Sequence, residues 1–214
     1  MSEIALIDYG SGNLHSAARA LRVAAAASGS EAGVSITSDP DHVYAAERIV
    51  LPGVGHFADC AAGLRRLDGM VAALTEAVMQ RGKPFFGICV GQQLLASEGL
   101  EDGETEGLNW VPGTVDRIEP GPGYRIPHMG WNGLQLCQDH AVMLGLGNDP
   151  HVYFTHSYAF KEIAARDIAA RVDYGQSIIA AIARDNIFAT QFHPEKSQKI
   201  GLKILSNFIN WRPQ

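Results

Sequence analysis

Short apolar runs alternate with longer helical patterns through the first half of this chain, and few architectures accept that order. Residues 3–8 read as a strand, and residues 14–27 as an alanine-rich helix with Leu14, Ala18, Leu21 and Ala25 on one face. Residues 34–37 and 48–51 read as the second and third strands, and residues 70–80 as a helix stopped by Gly82 and Pro84. Residues 84–88 form a fourth strand that feeds a helix beginning near Val90. This order is that of a parallel sheet covered on both faces. The second half is richer in strands, at 152–155, 169–172, 177–183 and 187–192, before a closing helix over 197–211. The expected fold is α/β: a mostly parallel central sheet with helices on both faces and a partly antiparallel extension.

A chain of 214 residues with 46% hydrophobic content supports one sizeable core and is short for two, so a single domain over 1–214 is expected. The formal charge of -6 disfavours nucleic acid and anionic membrane surfaces as partners. Three separated cysteines, Cys60, Cys89 and Cys137, do not make the dense framework of a secreted protein. With no leader pattern before Ile4 and no bilayer-length apolar stretch, a cytoplasmic location is expected.

Gly87-Ile88-Cys89-Val90-Gly91 places a cysteine between two glycines where an apolar strand hands over to a helix. Such an elbow exposes a nucleophile on a tight turn, and the glycines keep side chains off the neighbouring backbone. The helix N-terminus favours thiolate, and the amide of Val90 is free to donate to a developing oxyanion. An isolated cysteine is more often a buried structural residue, so context must decide.

That context is Gln191-Phe192-His193-Pro194-Glu195, after a strongly apolar run. In an extended segment, residues two apart point the same way, which lets the Glu195 carboxylate fix the His193 tautomer, and proline between them supports the extended form. Cys89, His193 and Glu195 then supply nucleophile, base and orienter for acyl transfer. Leu51-Pro52-Gly53-Val54-Gly55 also follows a strand, and its backbone can present an amide to a substrate oxygen or turn it away. By itself that segment reads as an ordinary tight turn.

Together with Ile7-Asp8-Tyr9-Gly10-Ser11-Gly12-Asn13-Leu14, Pro127-His128-Met129-Gly130-Trp131-Asn132, Phe154-Thr155-His156-Ser157-Tyr158 and Lys196-Ser197, these segments resemble the class I (triad) glutamine amidotransferases over nearly the whole chain. Within that class they resemble the glutaminase subunits of imidazole glycerol phosphate synthases. The resemblance implies a glutaminase that forms a glutamyl thioester on Cys89 and passes ammonia to a (β/α)8-barrel cyclase, its partner in a heterodimer. It also implies a glutamine pocket lined by Gln93, His156, Ser157 and Tyr158, and an oxyanion region at Gly53, Val54, Gly55 and Val90. A docking face would include Asn13, Trp131, Asn132 and Lys196. Trp131, an aromatic beside a glycine, is a plausible anchor, with a core tryptophan as the alternative. The chain departs from the family at Gln92, where methionine is more usual, and over residues 97–106. There Glu98 and Glu101 both stand as candidates for the substrate ammonium contact.

Gly10-x-Gly12 does not complete a dinucleotide fingerprint, because His15 stands where the third glycine belongs. Cys137-x-x-His140 has no second pair at metal-ligand spacing. No metal and no cofactor are expected. The alternatives are a glutaminase serving another synthase, such as that for pyridoxal phosphate, a stand-alone hydrolase, and a non-catalytic docking subunit.

Overall fold

A computed structural model of the chain describes residues 3–213. Strand β1 (Glu3–Ile7) is buried at its last four positions because both of its faces are covered. Helix α1 (Leu14–Ala27) buries Ala17, Ala18, Leu21, Ala24 and Ala25, and these mostly small side chains allow close packing. Strand β2 (Gly33–Thr37) returns parallel to β1. A short helix α2 (Pro40–Ala45), N-capped by Asp39, leads to β3 (Arg48–Leu51), parallel to β1 on its other side. Helices α3 (Phe57–Arg66) and α4 (Met70–Thr75) follow, the second running into one π-helical segment at Glu76–Gln80. Strand β4 (Phe85–Ile88) then pairs in parallel with β3 and leads into α5 (Val90–Gln93), a single helical turn that starts where a helix was expected.

The remaining strands are β5 (Glu98–Gly99), β6 (Thr105–Glu106), β7 (Thr114–Arg117), β8 (His128–Leu136), β9 (His151–His156), β10 (Tyr158–Phe160), β11 (Ile168–Asp173), β12 (Ser177–Arg184) and β13 (Ile187–Thr190). Helix α6 (Gln198–Asn210) closes the fold. Among the described residues nine strands make one sheet in the order β2-β1-β3-β4-β13-β12-β11-β8-β9. It is parallel from β2 through β13 and antiparallel beyond, the α/β arrangement expected from the sequence. A second sheet, β10-β7-β5-β6, was not foreseen, because strands of two to four residues carry too little alternation to be read. Strand β8 escaped for a related reason. Gly130 and Gly133 and an exposed Met129 and Trp131 interrupt any apolar period. Among the described residues no helix is long and apolar enough to cross a membrane.

Chain direction gathers the site. Strands β4 and β13 are parallel neighbours with Ile88 opposite Thr190, so Cys89 and the segment from Gln191 to Glu195 leave the sheet at the same edge. Leu51, the end of β3, pairs with Gly87 and delivers the Pro52–Gly55 loop there too. Ligands of open α/β sheets bind at this carboxyl edge.

Gln92 on α5 is fully buried, with one side-chain bond from Nε2 to the Ala189 carbonyl at 3.4 Å and no partner for Oε1 among the described residues. Methionine has a similar length and no acceptor to leave unmet. Gln92→Met is therefore expected to raise stability by about 1 kcal/mol. The check is a higher urea midpoint at an unchanged slope, and a lower midpoint would show that the amide is needed.

Candidate active site

Cys89 sits at φ 54°, ψ -110°, a left-handed conformation that a non-glycine residue holds only when its surroundings enforce it. Its amide is fixed to the Thr190 carbonyl at 2.7 Å. The flanking glycines are required by close backbone approach. A Cβ on Gly91 would lie 1.9 Å from the Leu51 oxygen, and one on Gly87 would lie 2.8 Å from the Gly91 oxygen. Cys89 is only 4% exposed, yet it lines a cleft of about 510 Å³.

His193 Nδ1 and Glu195 Oε1 are 2.7 Å apart. The extended geometry expected from the sequence is not how they meet. Pro194–Lys196 is a 3₁₀ turn, and proline at its first position starts that turn, which folds the carboxylate back toward the ring. A carboxylate only accepts, so Nδ1 carries a proton and Nε2 is the nitrogen left to exchange one with Cys89. Nε2 has no hydrogen bond among the described residues. Burial pushes the imidazole pKa down, but the Cys89 sulfur and the Glu195 carboxylate together outweigh it and raise the value to about 10. The ring is thus equipped to hold a proton taken from Cys89.

The oxyanion loop is turned away. The Val90 amide, expected to be free, donates to the Gly53 carbonyl at 3.3 Å. The Val54 amide donates to Ser11 Oγ at 3.1 Å, and Ser11 Oγ returns a bond to the Val54 carbonyl at 2.6 Å. Gly53 itself does not line the cleft. It is wedged where a Cβ would lie 2.7 Å from the Gly91 nitrogen and 2.7 Å from the Tyr9 hydroxyl. Ser11 was passed over at the sequence level, since a lone hydroxyl carried no signal there.

Val54, Gly55, Val90, Gln93, His156, Ser157 and Tyr158 all line the cleft with Cys89 and His193, as do Asn13 and Lys196. Gln93 is buried, not solvated. Its Nε2 spends both hydrogens on the Tyr158 carbonyl (2.9 Å) and Gln191 Oε1 (3.0 Å), which leaves its own oxygen to accept. His156 lines the wall without offering a free nitrogen. Nδ1 is bonded to the Tyr158 carbonyl at 2.9 Å and Nε2 to His128 Nδ1 at 3.1 Å, so it supports the pocket from behind. Of the two glutamates that sequence alone left open, Glu101 faces the cleft and accepts from the Phe57 amide at 2.8 Å. Glu98 instead accepts from the Thr114 hydroxyl at 3.1 Å, away from it.

Trp131 is 48% exposed, not a core tryptophan, and packs edge-on to Tyr153 with ring centroids 6.1 Å apart. The Lys196 ammonium lies 5.8 Å from the centre of the same Tyr153 ring. Asn132, expected at the docking face, lies half-buried on the opposite side of β8 from Trp131, because strand alternation separates the two, and its Nδ2 donates to the Asp173 carbonyl at 2.8 Å.

A sequence model of the family described as glutamine amidotransferase class-I matches residues 5–211. Curated proteins named imidazole glycerol phosphate synthase subunit HisH are similar over their full lengths. That of Bradyrhizobium diazoefficiens is 51% identical over 98% of this chain and 99% of its own. That of Caulobacter vibrioides is 51% identical over 100% of both. That of Rhodospirillum rubrum is 52% identical over 98% of this chain and 99% of its own. Among solved structures, one described as a glutamine amidotransferase superposes with a TM-score of 0.69 at 20% identity, covering 92% of this chain and 94% of that one. Another, a glutamine amidotransferase from Thermotoga maritima, gives 0.60 at 17% identity, covering 91% and 76%. At these identities the structural matches speak for the fold.

Proposed function

The chain belongs to the class I glutamine amidotransferases, and from that membership we propose that it is the glutaminase subunit of an imidazole glycerol phosphate synthase, a single amidotransferase domain acting in the cytoplasm. The observation that carries the reading is that Cys89 and His193 line one cleft, with the Glu195 carboxylate hydrogen-bonded to the far nitrogen of the His193 ring.

In the proposed reaction His193 Nε2 takes the Cys89 proton, and the sulfur attacks the side-chain amide carbon of glutamine. The tetrahedral adduct collapses when the same imidazole returns the proton to the leaving nitrogen, which departs as ammonia and leaves a glutamyl thioester. Water, deprotonated by His193, then releases glutamate and the thiol. Glu195 keeps the ring in the Nδ1–H tautomer and favours its charged form. Glu101 suits the substrate ammonium by charge and position, and the Gln93 oxygen can accept from a polar hydrogen of the substrate. The Val90 and Val54 amides suit the oxyanion once the Gly53–Val54 peptide has turned.

The cyclase partner, a (β/α)8 barrel, is proposed to dock over Asn13, Trp131 and Lys196, with Asn132 holding the strand beneath. Ammonia would pass to it from the cleft. The test is reconstitution with the cyclase and glutamine labelled with ¹⁵N at the side-chain amide. Label in the imidazole product is the expected result. Glutamate formation without label in the ring would reject the synthase assignment and favour a stand-alone hydrolase.

A further inference from the structure

One buried polar group is not used by the mechanism above: the pair of histidines facing each other across β8 and β9. His128 and His156 occupy opposite positions in that ladder, and both are nearly inaccessible. Their hydrogen bonds fix each proton in turn. The Tyr158 carbonyl can only accept, so His156 Nδ1 donates to it at 2.9 Å, and His156 Nε2 is left as an acceptor. His128 Nδ1 lies 3.1 Å from that nitrogen and must donate. His128 Nε2 is then the acceptor facing Asn132 Nδ2 at 3.4 Å. Burial holds the His128 pKa at about 4. At His156 burial outweighs the carbonyl bond and holds the value at about 3. Both rings therefore remain neutral near pH 7, and the donor order does not change.

The series continues past the histidines. The Tyr158 carbonyl also accepts from Gln93 Nε2 at 2.9 Å, Gln93 Nε2 bonds Gln191 Oε1 at 3.0 Å, and Gln191 Nε2 reaches the Cys89 sulfur at 3.7 Å. At its other end, Asn132 is the neighbour of the exposed Trp131 on β8.

We propose that His128 and His156 are positioning residues that tie the β8 docking strand to the glutamine pocket, setting the Tyr158 carbonyl and through it the Gln93 carboxamide. The proposal rests on the glutaminase reading of the same cleft. Two rings held in single tautomers can report a displacement of β8 only as a shift or loss of the Tyr158 bond. The effect then falls on glutamine binding before it falls on the chemical step.

The two roles of His128 can be separated. Its ring stacks on Tyr174 with centroids 3.9 Å apart and on Phe154 at 4.6 Å, so His128→Phe keeps the stack and removes the donor. His128→Asn keeps a donor near the Nδ1 position and removes the stack. In the reconstituted complex, His128→Phe is expected to raise KM for glutamine about tenfold with kcat within about twofold, while ammonia-dependent synthesis is unchanged. His128→Asn is expected to stay within about threefold of the wild-type KM. A wild-type KM in His128→Phe, or a larger KM in His128→Asn than in His128→Phe, overturns the proposal, since purely structural packing predicts that second order. If His128→Phe does not fold, ¹⁵N spectra of the histidines in the wild-type complex decide instead. Nδ1–H tautomers at both rings are expected, and an Nε2–H tautomer at either breaks the series. A wild-type complex that does not hydrolyse glutamine would defeat the functional reading, while the tautomer measurement would still test the hydrogen-bond series by itself.

Discussion

Cys89→Ala is expected to abolish glutamine-dependent ring closure by the reconstituted complex, by ~10⁴ or more in kcat, while ammonia-dependent closure stays close to wild type. The sulfur is the only group in the cleft proposed to bond to the amide carbon, and free ammonia enters after that step. The substitution should leave the fold intact, although alanine inherits the left-handed backbone of the elbow without the sulfur's interactions. Its small volume causes no clash, and Gly87 and Gly91 already accommodate the turn. Parallel assays with glutamine and with ammonium chloride, on a complex whose assembly is verified by gel filtration, give the result. Loss of both activities from an assembled complex would mean that Cys89 does more than open glutamine, and retention of the glutamine-dependent activity would remove it from the mechanism.

Partner docking is expected to raise glutamine turnover by ~10²–10³, the range that one oxyanion donor supplies. In the free chain the Gly53 carbonyl occupies the Val90 amide, and the Val54 amide is engaged by Ser11. One rotation of the Gly53–Val54 peptide plane exchanges that carbonyl for a donor, and glycine on its near side keeps the steric barrier low. Docking favours the rotated form only if the partner contacts it better, and the exposed Val54 at the mouth of the cleft offers such a contact. Ser11→Ala removes the acceptor that holds the Val54 amide, whereas the Val54 carbonyl stays held by the Cys60 thiol at 3.4 Å. The variant is therefore expected to raise turnover of the isolated chain about tenfold and to shrink the activation by the partner in proportion. Hydrolysis by each protein alone, with empty cyclase and with cyclase plus a substrate analogue decides both points. Equal wild-type turnover in all three states would exclude gating, and an unchanged basal rate in Ser11→Ala would exclude Ser11 as the latch.

Residue pattern and backbone rule explain why some of this was legible in advance. Alanines at helical spacing over 14–27 and apolar runs at 48–51 and 84–88 each allow one reading, because their periods are long or their flanks are punctuated by glycine and proline. The elbow was equally readable, since only glycines tolerate the Leu51 and Gly91 oxygens so close. The second sheet was not readable, nor was the 3₁₀ turn that brings Glu195 to His193. The strands of that sheet are too short to carry a period, and a proline after His193 suits an extended segment as well as the first position of a turn.

Residue order was enough to read the alternating α/β core, the chemical types gathered around a strand-end cysteine, and the family they resemble. These follow from local rules of period, turn and motif. It took the tertiary structure to show that Glu101 rather than Glu98 faces the cleft, that Asn132 is held by the Asp173 carbonyl while Trp131 stays at the surface, and that both nitrogens of His156 are occupied. That structure also shows that the Val90 amide is blocked by Gly53. The Phe57 amide for Glu101, the Asp173 carbonyl for Asn132, His128 for His156 and the Gly53 carbonyl for Val90 are all partners far along the chain, and no local pattern of residues encodes those choices.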